Sequence, residues 1–147
     1  MKTGTPTVGD FMTTDLFTLS PDVSIDEAVD FLVEHGISGA PVIDAQGKLA
    51  GVITEKDCLS LLAKGANHQR PQGVVEDFMT RNVHTIPPRM DIYFAAGLFL
   101  ANPYRRFPVV EAERLVGIIS RRDVLKALQR IAKARPVREL SRPIPIE

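Results

Sequence analysis

The stretch GVITEKD at residues 51–57 recurs as GIISRRD at residues 117–123, 66 positions further along the chain. An earlier block, VGDFMT at 8–13, recurs as VEDFMT at 75–80 with nearly the same spacing. Similar blocks in the same order at a nearly constant spacing indicate a duplicated structural unit, since each copy must build the same local fold. The sequence therefore predicts two tandem copies of one unit.

The chain has 147 residues, which is enough for one compact domain or for two small domains fused together. The two predicted units span residues 8–65 and 75–132. Between them, the segment KGANHQRPQG at 64–73 is polar and contains glycine and proline, a composition typical of connecting segments. We therefore assign residues 66–74 as a linker and residues 133–147 as a C-terminal tail.

Each copy has the same predicted order of secondary structure, β-α-β-β-α, which places the chain in the α+β class. In copy one, an extended segment at 17–19 precedes a helix that begins with a Ser-x-x-Glu capping box at Ser24 and ends at Gly36. In copy two, Asp91 is predicted to cap the equivalent helix and Asn102 to end it. Apolar runs joined by turns predict a β-hairpin in each copy, followed by a second helix. The predicted hairpin strands are 40–43, 49–53, 107–110 and 115–119.

The first helix of copy two is apolar on almost every side, because IYFAAGLF at 92–99 contains no charged residue. A helix of this kind is expected to be buried on several sides. We therefore expect the two copies to pack face to face. The extra burial of this helix could lie between the copies or against a second chain.

Charge is unevenly distributed, although the 18 basic and 18 acidic residues cancel. Residues 1–73 contain 5 Lys and Arg against 10 Asp and Glu, and residues 74–147 contain 13 against 8, so the halves carry −5 and +5. These opposite halves could attract each other within one chain or between chains. Proteins that bind nucleic acid usually have a clear basic excess, so nucleic-acid binding is disfavoured here.

The sequence also predicts where the protein resides. No stretch approaches the roughly 20 apolar residues that a membrane helix needs, and the N-terminus lacks the apolar core of a signal peptide. A single cysteine, Cys58, excludes an internal disulfide and suits a reducing compartment. We therefore expect a cytoplasmic protein that makes no contact with membranes.

The repeated pattern Gly-h-h-Ser/Thr-x-x-Asp, in which h is apolar, has two interpretations. Its hydroxyl and carboxylate are the groups that cap a helix, and a single occurrence favours the cap alone. The same groups also suit a nucleotide. Unpaired amides at a helix N-terminus attract a phosphate, and an Asp carboxylate can accept hydrogen bonds from both ribose hydroxyls.

The duplication, the β-α-β-β-α order, the Pro-Val strands at Pro41 and Pro108 and the terminal Gly-h-h-Ser/Thr-x-x-Asp together resemble the cystathionine-β-synthase (CBS) domain family. The resemblance covers about residues 8–131. It implies two CBS units packed about a pseudo-twofold axis, a Bateman module, whose clefts bind AMP, ADP, ATP or S-adenosylmethionine. It also implies a non-catalytic regulatory module that forms a homodimer and transmits its ligand state to an unknown effector protein.

The resemblance assigns roles to residues in both copies. Asp57 is implied to accept the ribose hydroxyls and Thr54 to contact phosphate or ribose, with Asp123 and Ser120 as their equivalents. The other residues implied to bind ligand are Thr18, Ser38, Gly39, Ala40 and Pro41 in copy one, and Thr85, Arg105, Arg106, Phe107, Pro108, Arg121 and Arg122 in copy two.

Basic residues lead to a ranking of the two implied sites. Arginine forks suit phosphate oxygens, and copy two has Arg121 and Arg122 where copy one has Glu55 and Lys56. Copy two is therefore expected to be the better anion site. Neither a metal site nor a cofactor is predicted, because His35, His68 and His84 lack ligand spacing, and no nucleophile with an adjacent base is recognisable.

Three alternatives to a nucleotide sensor remain. The chain could be a scaffold that has kept the fold and lost the ligand, acting only through dimerisation and its basic C-terminal helix and tail. It could bind nucleic acid through cations of that helix and tail, namely Arg121, Arg122, Lys126, Arg130, Lys133 and Arg135. An enzyme acting on nucleotides is the least favoured, since no catalytic group is evident.

Overall fold

The computed structural model describes residues 4–64, 72–133 and Pro145. Most of the predicted linker and most of the predicted C-terminal tail, including Arg135, lie outside the described residues, as does His68. The elements in chain order are α1 (Val8–Phe11), α2 (Ile25–His35), β1 (Gly39–Ile43), β2 (Leu49–Thr54), α3 (Glu55–Lys64), α4 (Val75–Phe78), α5 (Ile92–Ala101), β3 (Arg106–Glu111), β4 (Arg114–Ser120) and α6 (Arg121–Ile131).

Helix α2 begins and ends where its sequence predicts. The Ser24 hydroxyl oxygen accepts a hydrogen bond from the Glu27 amide at 3.1 Å, and it donates to the Glu27 carboxylate at the same distance. Gly36 ends the helix in the left-handed conformation, with φ +61°, which glycine adopts without steric cost. In copy two, Asp91 caps α5 through the Tyr93 amide, and Asn102 ends it with extended backbone and a side-chain bond to a helix carbonyl.

Each copy contains an antiparallel hairpin, β1 with β2 and β3 with β4. Each strand is longer by a residue or two than predicted. The extended segment ahead of α2 adds to its hairpin at a single position, where Leu19 pairs with Val42, and Ile86 pairs with Val109 in the same way. Proline follows each of these residues within two positions and offers no amide hydrogen, so the third strand remains one bridge long.

Each copy begins with a leading segment, residues 8–13 in copy one and 75–80 in copy two, that pairs with the other copy. Val8 donates its amide to Met90 at 2.8 Å, and Thr13 pairs with Ile118 through bonds in both directions. Copy two makes the equivalent contacts with copy one. The Val75 amide donates to the Val23 carbonyl at 2.8 Å, and Thr80 pairs with Val52. This reciprocity is the predicted pseudo-twofold relationship between the copies.

The hydrophobic cores follow the exchange. Val8 is fully buried in a cluster formed otherwise by copy-two residues such as Phe107 and Ile119. Val75 is fully buried, and Met79 is buried, in the corresponding cluster of copy-one residues around Ile53. Each core is therefore completed by one or two buried residues that the other sequence repeat supplies.

The outer face of α5 is exposed in the single chain, so the contact between the two copies does not provide the predicted burial on several sides. Ile92, Ala95 and Phe99 are buried, but Phe94 is 62% exposed and Leu100 is 90% exposed. The reason is geometric, since within one chain α5 packs on α6 and the hairpin along one face only. Within residues 4–64 and 72–133, none of the helices has the length and hydrophobicity that a bilayer crossing requires.

Candidate functional site

A cleft of about 630 Å³ opens between the two copies. Copy one contributes the start of β1 and the junction of β2 with α3, and copy two contributes the segment after α4 and the start of β3. The lining residues are Ser38, Gly39, Ala40, Pro41, Val52, Thr54, Glu55, Lys56, Thr80, Asn82, Val83, His84, Pro103, Tyr104, Arg105, Arg106, Pro108 and Ile118.

The start of α3 is fixed beside β1 by backbone hydrogen bonding. The Glu55 amide donates to the Ser38 carbonyl at 2.9 Å, and the hairpin pairs Gly39 with Thr54. These contacts bring the hydroxyl of Thr54 and the first residues of a ten-residue helix to the wall of the cleft. A helix N-terminus carries a partial positive charge, which favours an anion at this wall.

Asp57 is turned back towards the start of its own helix. Its Oδ2 atom accepts hydrogen bonds from the Thr54 amide at 2.9 Å and from the Thr54 hydroxyl at 3.0 Å. The Thr80 hydroxyl of copy two also donates to this carboxylate, 3.2 Å from Oδ1. Asp57 therefore links the two copies, and it is absent from the residues that line the cleft.

Asp123 makes the equivalent cap in copy two. Its Oδ2 atom accepts from the Ser120 amide at 2.9 Å, and its own amide donates to the Ser120 hydroxyl at 3.2 Å. The residue is only 6% exposed. The helix-cap interpretation of the repeated motif thus describes both copies in this structure, and a ribose contact by either carboxylate stays a prediction.

The cleft combines predicted residues from both copies, whereas the sequence grouped them by repeat. Five of the seven copy-one residues line it, together with Arg105, Arg106 and Pro108 from copy two. Phe107 is fully buried in the core, because it points away from its neighbours on the strand. The other predicted residues that do not line this cleft are Thr18, Asp57, Thr85, Ser120, Arg121, Arg122 and Asp123.

Several lining residues were missed by the sequence prediction. Thr80 closes the repeated VEDFMT block, so the repeat itself was a usable signal. Asn82 and His84 carry no such signal, because their equivalents Asp15 and Phe17 are chemically different. They reach the cleft only because the leading segment of copy two crosses to copy one.

Cations outnumber anions along the cleft. Lys56, Arg105 and Arg106 line it, with Glu55 as the single carboxylate among the lining residues. All four belong to exposed residues, so water and salt screen their charges in the empty cleft. The electrostatic character of the cleft therefore favours an anionic ligand.

An aromatic cluster forms part of the copy-two wall. The ring of Phe107 lies 5.1 Å from that of His84 and 5.7 Å from that of Tyr104, both in edge-to-face geometry. His84 and Tyr104 line the cleft, and Phe107 supports them from the core. Flat, partly exposed rings of this kind can contact a planar base.

Cys58 follows Asp57 on α3 and is partly buried. Burial raises the pKa of its thiol, and the negative charge of Asp57 raises it further. Both effects keep the sulfur protonated at neutral pH, so it is a packing residue with little nucleophilic character. Among the described residues, no group of three His, Cys, Asp or Glu side chains is arranged to hold a metal ion.

Comparison with known proteins identifies the family. The sequence profile of the CBS domain matches the chain twice, over residues 8–64 and 75–130. The chain belongs to the CBS domain family. The predicted α+β fold of two CBS units is thereby confirmed, and the two copies together form a CBS pair.

Relatives of this CBS pair include proteins with bound adenosine compounds. It is 32% identical to the chloroplastic CBS domain-containing protein CBSX1 of Arabidopsis thaliana, over 90% of this chain and 68% of that protein. The crystal structure of CBSX2 in complex with AMP is similar with a TM-score of 0.75 and 37% identity, covering 86% of this chain and 98% of that one. The CBS pair of MJ0100 in complex with 5-methylthioadenosine and S-adenosylmethionine is similar with a TM-score of 0.71 and 29% identity, covering 87% and 99%.

Proposed function

We propose that this CBS pair is a non-catalytic regulatory module that binds an adenine nucleotide in the cleft between its copies. The observation that carries the proposal is that Thr54, at the start of α3, lines the same cleft as Arg105 and Arg106 of the other copy. A volume of about 630 Å³ lies within the usual range for small-molecule sites. Two chemically different walls, one a helix start and one cationic, suit the two ends of a nucleotide.

The lining offers a separate environment for each part of the ligand. Backbone groups of residues 38–41, together with the apolar side chains of Val52, Pro108 and Ile118, form a slot for the adenine ring. Thr54 lies where a ribose or a phosphate would meet the helix N-terminus. Lys56, Arg105 and Arg106 are available to the phosphate oxygens.

The charge of the lining favours one class among the adenosine ligands of the family. AMP, ADP and ATP carry negative phosphates, whereas S-adenosylmethionine carries a sulfonium cation. Three cations against one carboxylate attract the phosphates and repel the sulfonium. A phosphorylated nucleotide is therefore the ligand that this cleft fits best, and the similar protein CBSX2 has a crystal structure in complex with AMP.

Ligand binding can be transmitted through Asp57. A ribose that takes the Asp57 carboxylate has to displace the hydroxyl of Thr80, which belongs to copy two. Loss of that bond changes the contact between the copies, so occupied and empty states differ in arrangement. An effector that recognises one arrangement completes the proposed regulatory role, for which we propose a cytoplasmic location.

Isothermal titration calorimetry of the purified chain with AMP, ADP, ATP and S-adenosylmethionine tests the proposal. We expect saturable binding of at least one phosphorylated nucleotide and weaker binding of S-adenosylmethionine. Lys56→Ala serves as a cleft variant, and Lys48→Ala, an exposed lysine outside the cleft, serves as its matched control. Absence of a signal with all four compounds at millimolar concentration contradicts the proposal.

One observation favours a second function, a scaffold without a ligand. Both Asp57 and Asp123 accept hydrogen bonds from backbone amides at the start of their own helices. Each carboxylate would have to give up such a bond, or share it, to bind a ribose. In this case the chain acts through its surfaces alone. The same titration distinguishes the two functions, because a scaffold binds none of the nucleotides while remaining folded.

A further inference from the structure

Among the described residues that line the cleft, His84 is the single histidine. It lies on the copy-two wall, where its ring centroid is 6.4 Å from that of Tyr104. The backbone runs from Tyr104 directly into Arg105 and Arg106, which line the same wall. An anionic group that these two arginines attract therefore comes close to the imidazole. The proposed binding mode gives the His84 side chain no role.

Two aromatic rings support the imidazole. Its centroid lies 5.1 Å from that of Phe107, with the ring planes inclined by 68°, and the Tyr104 ring meets it at 84°. Phe107 is 1% exposed and belongs to the closely packed core of copy two, so this support is rigid. His84 itself is an exposed residue. The imidazole is thus anchored on its core side and accessible to a ligand in the cleft.

The repeated fold does not require a histidine at this position. In copy one the equivalent residue is Phe17, 67 positions earlier, whose ring stacks on His35 at 4.1 Å. Neither Phe17 nor His35 is among the residues that line the cleft. Because a phenyl ring serves the same place in the other copy, packing alone does not explain an ionisable ring at position 84.

Charged and titratable residues of both copies share the cleft with His84. They are Glu55, Lys56, Tyr104, Arg105 and Arg106. Arg81, on the segment that contains His84, is not among the lining residues, and it lies 4.0 Å from the Glu76 carboxylate. Three cations against one carboxylate draw the phosphate of a nucleotide into the space beside the imidazole.

A bound phosphate changes the proton balance of a neighbouring imidazole. Imidazole ordinarily changes charge between pH 5 and 8, and a nearby negative charge favours its protonated form. The complex then holds more protons than the free protein and free nucleotide, so binding takes up protons and the affinity rises as the pH falls. The attraction between imidazolium and phosphate is fully present in mildly acidic solution and is lost as the pH rises.

We propose that His84 binds the phosphate of the nucleotide through its protonated imidazole and makes occupancy of the cleft dependent on pH. This inference rests on the proposed nucleotide binding and adds a binding residue that the repeat does not supply. The CBS pair then responds to two quantities, the concentration of nucleotide and that of protons. At a fixed nucleotide level, acidification fills the cleft and alkalinisation empties it.

Isothermal titration calorimetry with AMP at pH 6, 7 and 8 tests the proposal. Two buffers of different ionisation enthalpy at each pH give the proton uptake together with the affinity. His84→Gln cannot be charged, and His84→Lys stays charged throughout this range. Protonation of the AMP phosphate itself is common to every variant, so differences between variants isolate the imidazole.

The expected results concern affinity and proton count. Between pH 8 and pH 6, the AMP affinity of the unmodified chain should rise about threefold to tenfold relative to that of His84→Gln. At pH 7 the unmodified chain should take up about half a proton more per bound nucleotide than this variant. His84→Lys should bind AMP more tightly than His84→Gln at pH 8, and it should lose the pH dependence that the imidazole adds.

His35→Gln is the matched control, since His35 is an exposed histidine outside the cleft, and it should keep both the affinity rise and the proton uptake. His84→Phe, which carries the ring found at Phe17, is a second uncharged variant that retains an aromatic contact with Phe107. If AMP does not bind at all, nucleotide binding and this inference fail together. If AMP binds with equal pH dependence and proton uptake in the unmodified chain and in the uncharged variants, only the role of His84 is overturned. A His84→Lys variant weaker than His84→Gln at pH 8 overturns it as well.

Discussion

The Thr80 hydroxyl donates a hydrogen bond to the Asp57 carboxylate across 3.2 Å, although 23 residues separate the two along the chain. Asp57 caps α3 in copy one, and Thr80 ends the segment through which copy two pairs with β2. A single carboxylate therefore stabilises a helix start and a contact between copies at the edge of the cleft.

Removing the Thr80 hydroxyl should have opposite effects on stability and on ligand affinity. We expect Thr80→Val to lower the free energy of unfolding by about 1 kcal/mol, the usual contribution of one hydrogen bond. We expect AMP binding to strengthen about fivefold, since a ribose no longer competes with Thr80 for Asp57. Urea denaturation and calorimetry measure the two effects. Thr13→Val, at the equivalent position of copy one, is the matched control, and AMP binding equal to that of this control contradicts the competition.

The two arginine pairs of copy two should contribute unequally to nucleotide binding. Arg105 and Arg106 line the cleft, whereas Arg121 and Arg122 lie outside it. We expect Arg105→Ala/Arg106→Ala to weaken ATP binding at least tenfold by calorimetry, because charge-assisted phosphate contacts are lost. Arg121→Ala/Arg122→Ala removes the same charge and should change the affinity less than about twofold. A larger loss of ATP affinity in the Arg121→Ala/Arg122→Ala variant would contradict this prediction. It would instead support the expectation that Arg121 and Arg122 make copy two the better anion site.

The turn between β3 and β4 contains removable strain. Ala112 and Glu113 have φ values of +51° and +66°, a conformation that asparagine and glycine adopt more readily. We expect Ala112→Asn/Glu113→Gly to raise the free energy of unfolding by about 1 kcal/mol in urea. The ion pair of Glu113 with Lys48, at 3.9 Å between exposed side chains, contributes little. Gln46→Gly, in a turn position without positive φ, should give no gain, and equal stabilisation by both variants would refute the explanation by strain.

The Cys58 thiol should react slowly at neutral pH. Burial and, secondarily, the Asp57 carboxylate raise its pKa, so the thiolate forms only at higher pH in the folded chain than in the unfolded one. The rate of modification by a disulfide reagent, measured from pH 6 to 10, should therefore rise at higher pH in native protein than in protein unfolded by urea. Identical pH profiles in the two states would exclude this shift.

The sequence predicts those features that depend on local physics. The capping Ser24, the stop at Gly36 and the positions of the hairpins are each determined within a few residues, and the repeat shows that two copies must resemble each other. Residues 38–41 and Thr54 line the cleft, and the resemblance to the CBS family had implied all five as ligand-binding residues.

Features that depend on contacts between the copies were not predictable in the same way. Nothing in the periodicity around Val8 indicates that it completes the core of copy two. For the same reason, Asn82 and His84 were not recognised as lining residues, since they reach the cleft through the crossing of a segment. The capping of α3 and α6 by Asp57 and Asp123 was anticipated as an alternative, and it competes directly with the ribose contact.

Because the leading segments are exchanged, neither repeat contains all the residues of its own hydrophobic core. Without copy two, the copy-one core lacks Val75, and Val8 loses the copy-two core in which it is buried. Either repeat produced alone therefore leaves part of its core uncovered unless a second repeat from another molecule supplies the missing residues.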